Sequence, residues 1–338
     1  MNNLESCFII AELSANHDGS TARAKKIIDA AAQSGADAIK VQTYTADTLT
    51  IDCSNEFFTL DGGLWSGRTL YDLYQEASLP WEWTEELMHY TQEQGLAFFS
   101  TPFDVTAVDF LERLSVRLYK IASFEIVDIP LLEKVGATRK PVIMSTGMAS
   151  ISEIEEAVST LREAGTNDIT LLKCTSAYPA LPSEADLLTI PDMVERFGCR
   201  AGLSDHTLGS VVAVAAVALG ASVIEKHFTL DRSGGGPDDS FSMEPAEFAQ
   251  MVTDIRVAEQ AMGEVNYSLS DGEQDSIRFR KSLFVVEDIA KGEEFTSRNV
   301  RCIRPGYGIH PRYLGDVIGK SSRKNLKRGT PLQLNHFS

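Results

Sequence analysis

Eight times between residues 8 and 262, a short apolar run ending in a polar residue gives way to a helix-length segment. No other feature restricts the fold so strongly, because strands alternating with helices build a parallel sheet whose connections cross its faces. The strand runs are Phe8–Glu12 and residues 38–42, 96–100, 118–121, 141–144, 169–173, 200–203 and 222–225. Helical segments cover 22–34, 81–94, 105–114, 130–135, 191–197, 211–219 and 245–262, with another from Ser152 to a stop at Gly165. Ser152 with Glu155 three residues on reads as a capping box. Eight such pairs in about 260 residues match the size of a TIM (β/α)8 barrel. A doubly wound open sheet is the competitor. The strand ends favour the barrel, since nearly all are polar: Glu12, Lys40 with Gln42, Ser100 and Thr101, Lys120 with Ser123, Ser145 and Thr146, Lys173 with Thr175, Ser204 with His206, and Glu225 with His227. A closed barrel points all eight ends at one site, whereas an open sheet has a single crevice at its switch point.

His206 and His227 each close a strand run, with one helix between them. Side chains in that relation converge at one mouth of the barrel, and imidazole suits borderline divalent metals. Spacing alone also allows a structural histidine pair. The lysines need anionic partners, because lysine is rarely buried alone. Together with Thr101, Ser123, Ser145, Thr146, Ser176 and Ser204 they suit a phosphate or carboxylate ligand. Glu12, Glu125 and Glu225 are candidates for acid–base work or for support of the histidines. Glu125 reads equally well as an exposed loop residue. The long connection 43–79, with Gly62, Gly63 and Trp65, has the length of a lid or binding loop. Gly234, Gly235 and Gly236 before Pro237 and Asp238 allow close backbone approach to a ligand, and Asp238 can accept from hydroxyls or amides.

The tail differs in charge and pattern. Residues 276–338 carry 13 Lys and Arg against 5 Asp and Glu, whereas the preceding residues carry 18 against 43. Short β-like runs at 282–286 and 299–303, punctuated by glycine and proline, read as a compact β-rich module over 281–338. Residues 266–280 read as a linker and 1–265 as the barrel domain. The net charge of −17 argues against a nucleic-acid partner. No run reaches the ~18–20 apolar residues of a membrane helix. The first residues lack the basic and apolar segments of a secretory leader, and five scattered cysteines without a CxxC pair fit reduced thiols in a cytoplasmic protein.

Several motifs together resemble the sialic acid synthase family: Ile10-Ala11-Glu12-Leu13-Ser14-Ala15-Asn16-His17, Lys40-Val41-Gln42-Thr43, Ser100-Thr101-Pro102-Phe103, Tyr119-Lys120-Ile121-Ala122-Ser123, Ser145-Thr146-Gly147, Cys174-Thr175-Ser176-Ala177-Tyr178-Pro179, Ser204-Asp205-His206-Thr207 and Glu225-Lys226-His227-Phe228. The tail, with Arg304-Pro305-Gly306-Tyr307-Gly308-Ile309, resembles that family's antifreeze-like (SAF) domain. The resemblance covers nearly the whole chain. It implies condensation of phosphoenolpyruvate with the aldehyde of an open-chain amino sugar, phosphate leaving by C–O cleavage. It implies a divalent metal (Mn2+, with Co2+ or Mg2+ as alternatives) on His206 and His227. Lys40, Thr101, Lys120, Ser123, Ser145 and Ser204 would hold phosphoenolpyruvate, and Glu12 and Glu225 would handle protons. Gln42, Tyr178 and Asp238 would face the sugar, with Arg304 reaching it across a domain-swapped homodimer.

Within the family, residues 69–77, Pro80-Trp81-Glu82-Trp83 and Ala122-Ser123-Phe124-Glu125-Ile126 resemble the branch whose sugar is 2,4-diacetamido-2,4,6-trideoxy-L-altrose. Neuraminate synthases carry Asn where this chain has Ser176, which points away from N-acetylmannosamine. A neuraminate or legionaminate synthase is the alternative. A 3-deoxy-sugar phosphate synthase would need a second basic cluster that the sequence lacks. A non-catalytic sugar-binding protein accounts less well for lysines, carboxylates and a histidine pair gathered at strand ends.

Overall fold

The computed structural model describes residues 6–338. The segment 1–5, where no leader was expected, lies outside the described residues. The chain divides into two units, one ending at Gly263 and the other spanning Glu264–Ser338.

In the first unit eight parallel strands close in sequence order: β1 (Phe8–Glu12), β2 (Ala38–Thr43), β3 (Ala97–Pro102), β4 (Tyr119–Ile121), β5 (Val142–Ser145), β6 (Ile169–Cys174), β7 (Arg200–Asp205) and β8 (Val223–His227). β8 pairs with β1, so no edge remains and the open-sheet alternative is excluded. The helices are α1 (Thr21–Gln33), α2 (Ala46–Leu49), α3 (Leu70–Ala77), α4 (Trp81–Glu93), α5 (Val105–Arg113), α6 (Ile129–Gly136), α7 (Ile151–Ala164), α8 (Thr189–Phe197), α9 (Val211–Ala218) and α10 (Pro245–Met262). α2 and α3 lie within the connection 43–79, which is therefore partly helical rather than a plain loop.

Local chemistry explains the element ends. Asp104 caps α5 by accepting from the Thr106 and Ala107 amides, and Asp128 caps α6 by accepting from Leu131. The expected capping box of α7 sits two residues earlier than the sequence suggested. Ser150 accepts from the Glu153 amide, and the Glu153 carboxylate accepts from the Ser150 amide. Both Ser-x-x-Glu spacings fit the sequence, but a start at Ile151 turns Ile154, Ala157, Val158 and Leu161 inward.

Two apolar layers form. Between strands and helices lies a large core that includes Leu87, Leu111, Leu161 and Phe248, all fully buried. Inside the barrel, Phe8, Ile10, Ala38, Phe99, Leu118, Ile143, Leu172 and Val223 fill the floor. Gly202 lets the wall close, because a Cβ there would lie 2.3 Å from the Val223 carbonyl oxygen.

In the second unit β9 (Ser282–Val285) and β10 (Val300–Ile303) pair antiparallel. Leu283, Val285, Phe295, Val300, Val317 and Leu332 form its own core. Residues 264–280 belong to this unit and include a single helical turn, Asp271–Gln274, and a short 3₁₀ helix, Asp275–Phe279. Among the described residues, no helix is long and apolar enough to cross a membrane.

Candidate active site

Strand geometry builds the site directly on the apolar floor. Side chains two residues apart share a face, so one step beyond the floor the barrel interior turns polar. Ile10 is followed by Glu12, Ala38 by Lys40 and Gln42, Phe99 by Thr101, Leu118 by Lys120 and Ile143 by Ser145. Leu172 is followed by Cys174, Gly202 by Ser204 and His206, and Val223 by Glu225 and His227. Lys173 falls on the opposite face. It was expected at the mouth, but Cys174, paired in register with Ser204, takes the inward position.

The lysines are held by carboxylates. Lys40 Nζ lies 2.6 Å from Glu12 Oε2 and 3.7 Å from Glu225 Oε1, and it donates to Thr101 Oγ1 at 3.2 Å. Lys120 Nζ and Ser204 Oγ donate to Glu225 Oε1 at 3.3 and 3.2 Å. All these side chains are buried. Burial pushes the Glu12 carboxyl above its ordinary range, with Lys40 opposing. Burial also opposes ionisation of Glu225, but Lys120, Lys40 and His206 overcome it and hold that carboxyl low. Lys120 is held below the usual lysine range by burial, against the pull of Glu225. Two carboxyls driven apart in this way suit an acid and a base in one site.

The imidazoles lie beside this cluster, with ring centroids 5.4 Å apart. His206 Nδ1 is 2.8 Å from the Thr175 carbonyl oxygen, an acceptor that fixes the proton on Nδ1 and leaves Nε2 free as a ligand. Burial, then His206 and the three lysines 40, 120 and 226, hold His227 well below the usual histidine range. It is therefore neutral, and its Nδ1 is buried without a hydrogen-bond partner. Asp238 Oδ2 lies 3.9 Å away. No group of three or more His, Cys, Asp or Glu suited to a metal occurs among the described residues. The two imidazoles nevertheless fit a divalent ion that takes its remaining ligands from water and substrate. Ser145 Oγ and Glu225 Oε2 are also buried without partners. Unpaired buried polar atoms gathered in one mouth point to a polar ligand.

The neighbouring wall combines a polar chain with aromatic rings. Gln42 Nε2 donates to Glu12 Oε1 at 2.9 Å and to Ser14 Oγ at 3.0 Å, and Ser14 Oγ donates to Asp238 Oδ2 at 2.5 Å. Tyr178 lies 4.3 Å from the His206 ring and 5.1 Å from Phe241. From the connection 43–79, Trp65 reaches 6.1 Å from Tyr178, and its indole N–H donates to the Pro237 carbonyl at 3.0 Å. Ser123 accepts from the Gly147 amide at 3.1 Å. A Cβ at Gly147 would lie 2.3 Å from Ser176 Oγ, so only glycine lets these hydroxyls crowd together. Arg304 stands in the second unit, on an exposed turn.

Three side chains were missed or left open by the sequence. Cys174 lies 3.9 Å from His206 Nδ1. Burial raises its thiol, but His206, then Ser123 and Lys120, bring it down to about 7. Counting by two from Leu172 would have found it. Ser14 sits in a 3₁₀ turn at φ 47°, which strand periodicity does not reveal. Glu125, left open between loop and site, is pushed up to about 7 by burial and has an unpartnered buried Oε2.

Known proteins resemble the chain over both of its units. Residues 27–267 match the NeuB family and residues 280–338 the SAF domain. The chain is 44% identical to a pseudaminic acid synthase of Helicobacter pylori over 96% of both chains. It is 39% identical to an N,N'-diacetyllegionaminic acid synthase of Campylobacter jejuni, over 96% of this chain and 98% of the relative. Among solved structures, an N-acetylneuraminic acid (sialic acid) synthetase of Leptospira borgpetersenii, in complex with citrate, superposes with a TM-score of 0.72 at 34% identity. It covers 83% of this chain and 95% of its own.

Proposed function

The chain belongs to the NeuB family, and we propose from that premise that it is a pseudaminic acid synthase. It condenses phosphoenolpyruvate with 2,4-diacetamido-2,4,6-trideoxy-L-altrose to give pseudaminic acid and phosphate. C3 of phosphoenolpyruvate forms the new bond to the aldehyde carbon, the aldehyde oxygen takes a proton, water adds at C2, and phosphate leaves with the C2–O bond. The observation that carries this reading is the buried cluster of Lys40, Lys120, Glu12 and Glu225 beside two imidazoles at one mouth.

Lys40, Thr101, Lys120, Ser123, Ser145 and Ser204 bind the phosphate and carboxylate of phosphoenolpyruvate. Glu12, whose carboxyl burial pushes above its ordinary range, donates to the aldehyde oxygen. Glu225, held ionised by its lysines, accepts the proton of the attacking water. Lys40 touches both carboxylates and so balances charge as protons move. Gln42, Tyr178 and Asp238 orient the sugar. His206 and His227 would hold a divalent ion, Mn2+ before Co2+ or Mg2+, and when bound it would supply Lewis acidity at the aldehyde.

The proposal keeps the boundaries 1–265, 266–280 and 281–338 for barrel, linker and SAF domain. It includes a homodimer in which the SAF domain of one subunit brings Arg304 to the sugar site of the other. Exposed apolar side chains on the loops after β4 and β5, such as Phe124 at 57% and Met148 at 64%, support a covered face there. A cytoplasmic location accords with the five unpaired cysteines.

The test is phosphate release from phosphoenolpyruvate with Mn2+, comparing the trideoxy-L-altrose diacetamide with N-acetylmannosamine and the legionaminate precursor sugar. Release confined to the altrose sugar is expected. Release with either competitor alone moves the chain to that branch.

A further inference from the structure

Each histidine of the pair is preceded by a charged residue, Asp205 before His206 and Lys226 before His227. Strand alternation turns these outward while the imidazoles turn inward. Asp205 and Lys226 are direct register partners across β7 and β8. Both are buried behind the barrel wall. Lys226 Nζ donates to Asp205 Oδ2 at 2.6 Å and to the Thr207 carbonyl at 2.6 Å. Asp205 Oδ1 accepts from the Thr207 amide at 2.9 Å and its hydroxyl at 2.7 Å. One ammonium therefore grips the chain on both sides of His206 while anchored one residue before His227.

We propose that the Lys226–Asp205–Thr207 clamp is a positioning device that sets the separation and aim of the two imidazoles for a shared divalent cation. The inference rests on the reading of His206 and His227 as metal ligands. Stability alone is a poor reason for such a pair, since apolar replacements of buried ion pairs are often neutral or stabilising. The clamp instead supplies geometry. Strand β7 ends at Asp205, so His206 stands just past the regular ladder, where an added tether matters most.

The experiment measures Mn2+ affinity by electron paramagnetic resonance, and the visible d–d spectrum of the Co2+-loaded protein. The proteins are the full chain, His206→Ala, Lys226→Met, and the double variant Asp205→Leu with Lys226→Met. Loss of binding in His206→Ala establishes the ligand reading on its own, and unchanged binding there sinks that reading. Lys226→Met leaves Asp205 without its cation and is expected to lose stability. The double variant removes both charges together, and circular dichroism checks its fold before binding is compared. Given folded double variant, the clamp predicts Mn2+ affinity about 10- to 100-fold weaker, the range for outer-shell metal partners, with an altered d–d spectrum. Wild-type affinity and spectrum in the folded double variant, alongside loss in His206→Ala, would overturn the clamp and leave the metal site standing.

Discussion

Glu12 and Glu225 meet at one lysine: Lys40 Nζ stands 2.6 Å from an oxygen of the first and 3.7 Å from an oxygen of the second. The two strands that carry them, β1 and β8, are neighbours at the seam where the barrel closes. Burial acts on both carboxyls. Only Glu225 has Lys120 as well, and that second cation drives the two apart.

If Glu12 is the acid, Glu12→Gln removes the proton but keeps the shape and the bond from Gln42. We expect kcat to fall about 10²- to 10⁴-fold, the usual contribution of a positioned acid or base, with little change in KM for phosphoenolpyruvate. Steady-state kinetics against pH should also lose the limb assigned to Glu12. An unchanged kcat would remove Glu12 from proton transfer.

Metal binding should displace protons unequally. The cation competes with a proton on His206, whose pKa is raised: burial lowers it, but Cys174 and the Thr175 carbonyl outweigh that. His227 is neutral already. The plot of log Kd for Mn2+ against pH should therefore fall with a slope of about −1 on the acid side of the His206 titration, rather than −2. Calorimetry in buffers of different ionisation enthalpy counts the same proton.

Glu125 should make stability fall as pH rises. Its folded pKa of about 7 lies above the ordinary 4.5, so the folded state holds the extra proton. Its favourable contribution is complete below about 4.5 and is lost as pH climbs through 7, by roughly 3 kcal/mol at most. Urea denaturation of wild type and Glu125→Gln should show a stability difference that shifts toward the variant across this window. A pH-independent difference would mean that Glu125 is not buried as an acid.

Trp65 ties the connection 43–79 to the loop carrying Asp238 through its bond to Pro237. Trp65→Ala should raise KM for the sugar about tenfold, equivalent to ~1.4 kcal/mol, while KM for phosphoenolpyruvate stays near wild type. Equal effects on both substrates would count against a contact specific to the sugar.

Much of the site was legible because strand periodicity is strict. Once Phe8–Glu12 and its seven counterparts were placed, Glu12, Lys40, Thr101, Lys120, Ser145, Ser204, His206, Glu225 and His227 had to share the interior. The same rule, applied with equal care, exchanges Lys173 for Cys174. Ser14 and Trp65 were beyond it, since both lie on irregular backbone where no period relates a residue to its face. The start of α7 was ambiguous because two serines offered equivalent caps, and helix packing chose between them.

The sequence by itself determined the barrel and the strand-borne groups at its mouth, because alternation and apolar floor residues leave one arrangement that buries the floor and gathers the polar ends. Tertiary structure alone decided how those groups divide their charge. A carboxylate's ionisation depends on which ammonium lies within a few ångströms in a medium of low polarity, and that distance is set by which strands become neighbours on closure. Glu12 and Glu225 look alike in sequence; the lysines that Glu225 meets in the closed barrel make them different.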